Sequence, residues 1–222
     1  MTKMKVKKCL LRICCLCAGF LLFGCDQGIG MEYNAAGYVE AVLKNVYLGD
    51  SSAYCDFVDV SAEEAKKEYE GGMEVETDFF FYQLALGEVS EETHEQYEEF
   101  YKELYQNAQF EVNLRDTEEQ DGEQVYKVEV VIKPITFFSD LGPQIDEIFD
   151  AELEKDYPSE KELDEGIATA VLELLNANKG NINYGDEEIV LVTIEKDEDG
   201  LWYFDDEDFN TIDGMILTYL AY

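Results

Sequence analysis

The spacing of apolar residues changes period repeatedly along this chain, and the order of those changes limits the folds open to it. Tyr38, Val39, Val42, Leu43 and Val46 fall on one face of a helix that starts near Asn34 and stops at Gly49. Ser61 with Glu64 forms a capping box that opens a second helix through Tyr69. Gly71-Gly72 is expected to break or kink that helix before helical spacing resumes over Met73 to Leu86. Ser90 starts a third helix carrying Tyr97, Phe100, Tyr101, Leu104, Tyr105 and Ala108. The period then falls to two: Phe110, Val112 and Leu114 alternate with polar residues, Asp121-Gly122 marks a turn region, and Tyr126, Val128, Val130 and Ile132 alternate again. This predicts a hairpin with one buried face and a loop longer than two residues.

The cycle then repeats. Pro143 is placed as the first residue of a helix carrying Ile145, Ile148, Phe149 and Leu153, which Pro158 closes. Ser159 with Glu162 forms another capping box, ahead of a helix presenting Leu163, Ile167, Val171, Leu174 and Leu175 and ending at Gly180. A second hairpin pairs Ile189 to Ile194 with Leu201 to Phe204 across Asp197 to Gly200, and a last helix carries Phe209, Ile212, Ile216 and Leu220. Ile189 to Val192 is apolar on both faces, which places that strand centrally in the sheet. Helices, hairpin, helices, hairpin, helix is the order of an α+β fold: an antiparallel sheet of two hairpins packed against several amphipathic helices, without βαβ alternation. Because each hairpin follows a helical block, the pattern hints at a duplicated lobe, although no residue-level repeat accompanies it.

The N-terminus has a different character. Lys3, Lys5, Lys7, Lys8 and Arg12 precede an apolar run, Ile13 to Phe23, that fits a secretory signal and is too short for a bilayer span of about 20 residues. The run ends Leu22-Phe23-Gly24-Cys25 and is followed by polar Asp26 and Gln27, which resembles the bacterial lipobox; Phe23 stands where a smaller residue is usual. The resemblance implies removal of residues 1–24, a diacylglycerol thioether on Cys25, a flexible tether over 25–33 and one acidic domain over 34–222. Two or more acyl chains, each buried methylene contributing about 0.8 kcal/mol, hold a protein on a membrane where one chain holds it only reversibly. The chain has six cysteines, of which Cys9, Cys14, Cys15 and Cys17 leave with the signal. That leaves Cys55 without an intramolecular partner, a bland thiol in an exported domain built without disulfides.

Loss of the signal removes five of 16 basic residues and none of 51 acidic ones, leaving a net charge of −40 over 198 residues. Nucleic-acid binding needs the opposite sign. Hydrophobic residues at 46% and aromatics at 13% supply a core that an acidic disordered tail lacks. Anionic headgroups repel such a body, so the membrane is reached through the lipid on Cys25. A basic protein or peptide is the favoured partner, with association that weakens as salt rises.

Catalytic chemistry has no clear signal. Nearly one residue in four is Asp or Glu, so a carboxylate pair spaced roughly 5 to 9.5 Å for sugar hydrolysis cannot be picked out by position. Most helical tyrosines fall on the apolar stripe, as core residues with a hydroxyl to satisfy. His94, the only histidine, sits among Glu92, Thr93 and Glu95 with no G-x-S-x-G elbow in the chain, and reads as a surface residue. One His and one free Cys make zinc improbable. Glu195, Asp197, Asp199, Gly200 and Asp206 match positions 1, 3, 5, 6 and 12 of a calcium loop, with Glu and Asp exchanged at its ends; a β-turn accounts for Asp199-Gly200 without an ion. No phosphate-binding or dinucleotide motif occurs. No catalytic residue, metal or cofactor is therefore assigned.

Together the lipobox, the Tyr-Val-x-x-Val-Leu helix opening at Tyr38, the Tyr47-Leu48-Gly49-Asp50 stop and the late Asp199-Gly200-Leu201-Trp202-Tyr203-Phe204 hairpin resemble uncharacterised surface lipoproteins of Firmicutes. Some of these have sheet-and-helix domains similar to the nuclear transport factor two-like, or cystatin-like, class, which shares no catalytic residues. The resemblance implies a lipid-anchored protein on the extracytoplasmic face of the cell membrane, a non-enzymatic binding or interaction domain. The alternatives are a small envelope hydrolase using carboxylates and a solute-binding lipoprotein.

Overall fold

The computed structural model describes residues 35–120, 123–196 and 200–219. Cys25, the signal segment, the tether and Leu220 lie outside them. The first helices are α1 (Ala35–Leu48), α2 (Tyr54–Val58), α3 (Ala62–Gln83) and α4 (Glu91–Tyr105); the strands β1 (Gln109–Gln120) and β2 (Glu123–Lys133) follow. A 3₁₀ turn at Phe137–Asp140 leads into α5 (Gly142–Leu153) and α6 (Glu160–Asn178). The chain closes with β3 (Glu188–Lys196), β4 (Trp202–Phe204) and α7 (Asp206–Ile216). The α+β class holds.

Helix ends follow local chemistry. Gly49 takes the left-handed conformation, φ 66°, that ends α1, and its N–H returns to the Asn45 carbonyl at 3.2 Å. The box at α3 is reciprocal: Ser61 Oγ accepts from the Glu64 N–H at 3.2 Å, and the Glu64 carboxylate accepts from the Ser61 N–H at 2.9 Å. Ser90 and Ser159 cap α4 and α6 through the N–H groups of Thr93 and Glu162.

Gly71-Gly72 does not break α3, which runs through both. Each glycine costs a helix interior about 0.5–1 kcal/mol relative to Ala. The buried stripe Met73, Thr77, Phe80 and Phe81 beyond them offsets that cost by packing into the core. The short α2 has no counterpart in the sequence pattern.

The strands form one antiparallel sheet in the order β1-β2-β3-β4. Pairing of Gln120 with Glu123 leaves only Asp121 and Gly122 between β1 and β2, so the first hairpin has a two-residue connection and the expectation of a longer loop is corrected. A register shift between Leu114 and Asp116 bulges β1. β2 and β3 pair from Tyr126↔Ile194 to Ile132↔Glu188, joining the two hairpins into one sheet instead of two duplicated lobes. Val128, Val130, Ile132, Val190, Val192 and Ile194 line its buried face. Against that face lie α1, which contacts β1, β2 and β4, and α7, which contacts β2 and β3; α4 packs on α1, α3 and α6. The lone Trp202 sits at the seam, its ring stacked 6.2 Å from Tyr38 and 5.3 Å from Tyr126, with the Lys196 ammonium 4.4 Å above it.

β3 does lie between two strands, but its outer face is open: Ile189 is 64% and Leu191 58% exposed. Apolarity on both faces reflected that exposed pair, not burial on two sides. Beyond β2 the backbone of Ile135 receives the end of the chain, with its N–H donating to the Ile216 carbonyl at 2.8 Å and its carbonyl accepting from the Thr218 N–H at 2.9 Å. This tie holds Tyr219 against an aromatic cluster of Phe80 and Phe138, at ring distances of 6.3 and 5.3 Å.

A Cβ at Gly71 or Gly72 would meet no heavy atom within 4 Å. Replacing both with Ala is therefore expected to stabilise the protein by about 1–2 kcal/mol in urea unfolding. A helix interrupted at these residues would show no gain.

Candidate functional site

The densest polar chemistry among the described residues is a tyrosine and carboxylate cluster where α1, α3, α4 and α7 meet. Helical spacing sets Tyr97, Tyr101 and Tyr105 on one face of α4, and all three are buried. The last turn of α1 supplies Tyr47, α3 supplies Glu76, α7 supplies Asp213, and the Ile135 tie delivers Tyr219. Tyr47 donates to Asp213 Oδ1 at 2.8 Å. Tyr219 donates to Glu76 Oε1, and Tyr105 is buried in the same cluster. A phenol has one proton to give, so the 3.2 Å contact between Tyr219 and Tyr101 hydroxyls runs from Tyr101 to Tyr219. The result is a relay from Tyr101 through Tyr219 to Glu76, beside a Tyr47–Asp213 pair, with the Tyr47 and Tyr105 rings 5.4 Å apart. Tyr97 stands apart and donates to the Ala168 carbonyl at 2.7 Å.

Among the described residues neither carboxylate has a basic partner. Burial pushes Glu76 up to about 7, with the Asp213 charge adding to the shift and the tyrosine hydrogen bonds opposing it. Burial likewise raises Asp213 above the usual carboxylate range, against the hydrogen bond from Tyr47. The phenols of Tyr47, Tyr101, Tyr105 and Tyr219 are held well above their ordinary range, first by burial and then by neighbouring negative charge, and stay protonated donors. Within the cluster Glu76 is therefore the acid whose raised value, about 7, falls near neutral pH.

Sequence position did not single out these two acids, yet a signal was present. Glu76 lies three residues after Met73 and four before Phe80, and Asp213 four after Phe209 and three before Ile216. Each is an acid on an apolar helical stripe.

The other candidates fall elsewhere. His94 ties α4 to α3 through Nε2 to Asp78 at 3.0 Å, while Nδ1 meets Glu98 of its own helix at 3.1 Å and the ring lies edge-on to Phe81. Its neighbours Glu92 and Glu95 take no part. Cys55 is a partly buried free thiol beside the small cluster of Ala41, Tyr54 and Ala65. Of the acidic loop, Glu195 ends in β3, Gly200 has φ 80° and Asp206 opens α7, while Asp197 and Asp199 lie outside the described residues. Among the described residues no group of three His, Cys, Asp or Glu side chains is placed to hold a metal. Open depressions among the described residues include two beside α6. One of about 380 Å³ between α4 and α6 is lined by Glu92, Glu95, Glu99 and Glu103 with Phe100. The other, of about 730 Å³ beside α5 and α6, includes Glu152, Tyr157, Glu165 and Glu173. Neither reaches Glu76 or Asp213, and both are rich in acid.

No protein-family model matches the sequence, and no curated protein does. In three dimensions the chain is similar to a Bacillus subtilis protein, ycdA, described as a candidate lipoprotein. The TM-score is 0.61 at 16% identity, over 82% of this chain and 56% of that one. The chain thus spans little more than half the length of this neighbour, and the likeness is one of fold.

A carboxyl whose folded value lies above its unfolded one binds its proton more tightly in the folded state. Stability is then present below the unfolded value of about 4.5 and is lost as pH rises through about 7. Glu76→Gln keeps the acceptor for Tyr219 and cannot ionise. Urea unfolding is expected to give matching stabilities for the variant and the parent near pH 4.5, and a variant more stable by about 2–3 kcal/mol at pH 8. Parallel pH profiles would mean that Glu76 titrates like a solvated acid.

Proposed function

We propose that this chain is a cell-envelope lipoprotein, anchored on the extracytoplasmic face of the membrane through lipid on Cys25, whose acidic domain binds a cationic partner and catalyses nothing itself. The observation that carries the reading is where the acids lie: the two acids raised toward protonation are engaged by tyrosines, while the depression between α4 and α6 presents four exposed carboxylates, Glu92, Glu95, Glu99 and Glu103, and no cation in its lining. Such a surface attracts a basic polypeptide and orients it at long range. The lipobox at Leu22 to Cys25 and the likeness in fold to a candidate lipoprotein support the location.

A second reading, a small hydrolase working through carboxylates, draws on Glu76, which burial raises to about 7, toward the range of a general acid. The two readings part at Glu76→Gln, which removes hydrolysis and leaves partner binding intact.

Metabolic labelling with palmitate tests the anchor. The parent chain is expected to carry label in the membrane fraction, and Cys25→Ser is expected to lose the label and keep its signal segment; label retained in the variant would remove Cys25 from the reading. For the partner, the full chain in a neutral detergent is expected to retain a cationic polypeptide from envelope extract at about 0.01 M salt. At about 0.15 M it should retain less, because the screening length falls from about 30 to about 8 Å.

A further inference from the structure

The two lateral edges of the sheet are finished differently. β1, the outer strand on one side, carries Glu111, Arg115, Asp116, Glu118 and Glu119 and a bulge, which are the devices that keep an edge from pairing. On the other side β4 is three residues long and pairs only with Ile194 to Lys196. The rest of β3, Glu188 to Thr193, has β2 on one flank and, among the described residues, no strand on the other.

The direction of the free backbone groups follows from one hydrogen bond. The Thr193 N–H donates to the Asp208 side chain at 2.9 Å, so it faces away from β2. In an antiparallel ladder that facing repeats every second residue, which turns the N–H and C=O of Leu191 and Ile189 to the same open side. Among the described residues these groups have no hydrogen-bond partner, and the two side chains beside them are 58% and 64% exposed. Open main-chain donors and acceptors next to exposed aliphatic side chains are what a strand-adding partner pairs with.

Charge selects the occupant. Asp186, Glu187 and Glu188 stand at one end of the edge, and Asp205, Asp206, Glu207 and Asp208 at the other. Lys133, 3.4 Å from Glu187, is the one cation paired with this group among the described residues. A second copy pairing antiparallel about Leu191 would set the acidic start of each strand against the acidic end of the other, so self-association is opposed.

We propose that the open edge of β3 from Glu188 to Thr193 takes an extended segment of a cationic polypeptide as a fifth strand, apolar in its middle and bearing Lys or Arg at both ends. The segment spans about 20 Å, six residues of strand. Its main chain pairs with Ile189 and Leu191, its alternate apolar side chains lie beside theirs, and its basic ends meet the two acidic groups. This site rests on the cationic-partner reading above and gives that reading a location.

The probe is a labelled synthetic peptide, Lys-Lys-Val-Thr-Val-Thr-Val-Lys-Lys, titrated by fluorescence anisotropy onto the full chain in neutral detergent at fixed low salt. Its counterpart, N-methylated at alternate amides, carries the same charge and cannot pair along an edge. Binding by the parent peptide at least tenfold tighter than by the N-methylated one, and the same loss with Leu191→Pro, is the expected result. That substitution deletes an outward N–H and no bond to β2; if it fails to fold, the N-methylated peptide on the parent protein decides. Equal binding of both peptides overturns the edge site and leaves a diffuse cationic-partner reading standing. No binding of either peptide at low salt overturns both. A dimer that Leu191→Pro converts to monomer assigns the edge to a second copy and overturns the proposal.

Discussion

The pairing of β2 with β3 is the joint on which the rest of the fold depends. Each hairpin taken alone has one apolar face and one helical block before it; seven residue pairs from Tyr126↔Ile194 to Ile132↔Glu188 put both faces on the same side. Only then can α1 and α7 share one sheet surface, and only then does α4 close over α1, α3 and α6 as the second layer. Antiparallel sheets tolerate water on one side, which is why the helices gather on the other and the outer face of β3 remains open. The joint therefore produces both the core and the exposed edge.

The helices were legible because their apolar residues repeat at helical spacing and their caps use side chains that bond the first N–H groups. Ser61, Ser90 and Ser159 were each recognised and each caps a helix. What could not be read were features decided by neighbours distant in sequence. Gly71-Gly72 looks like a break locally, and only the burial of Phe80 and Phe81 makes the continuous helix the better choice. The two-residue connection at Asp121-Gly122 depended on how far the ladder extends into polar sequence, where alternation fades. β3 was placed inside the sheet by its apolar run, but composition alone does not distinguish a strand covered on two faces from one with an exposed pair. Glu76 and Asp213 were hidden by abundance: among the 51 acids of the chain, these two on helical faces attract notice only when set against the stripe each interrupts.

That half-buried pair also bears on how so acidic a chain remains compact. Every acid kept on the surface adds to self-repulsion, and 16 basic residues against 51 acidic ones relieve little of it. The fold answers with phenols instead of cations: Tyr47 and Tyr219 satisfy the two carboxylates by hydrogen bonds while their rings pack against the core. An aromatic residue with a polar tip does at once what a lysine and a leucine would do separately. The abundance of tyrosine in the helices follows from that double role.

Trp202 sits where three parts of the molecule meet: its ring faces Tyr38 of α1, edges Tyr126 of β2 and lies under Lys196 at the end of β3. It also belongs to β4, the strand whose shortness leaves the β3 edge open. The only indole in the chain is thus a native optical reporter of the helix-to-sheet seam, and its emission registers whether that short strand is seated without any label being attached.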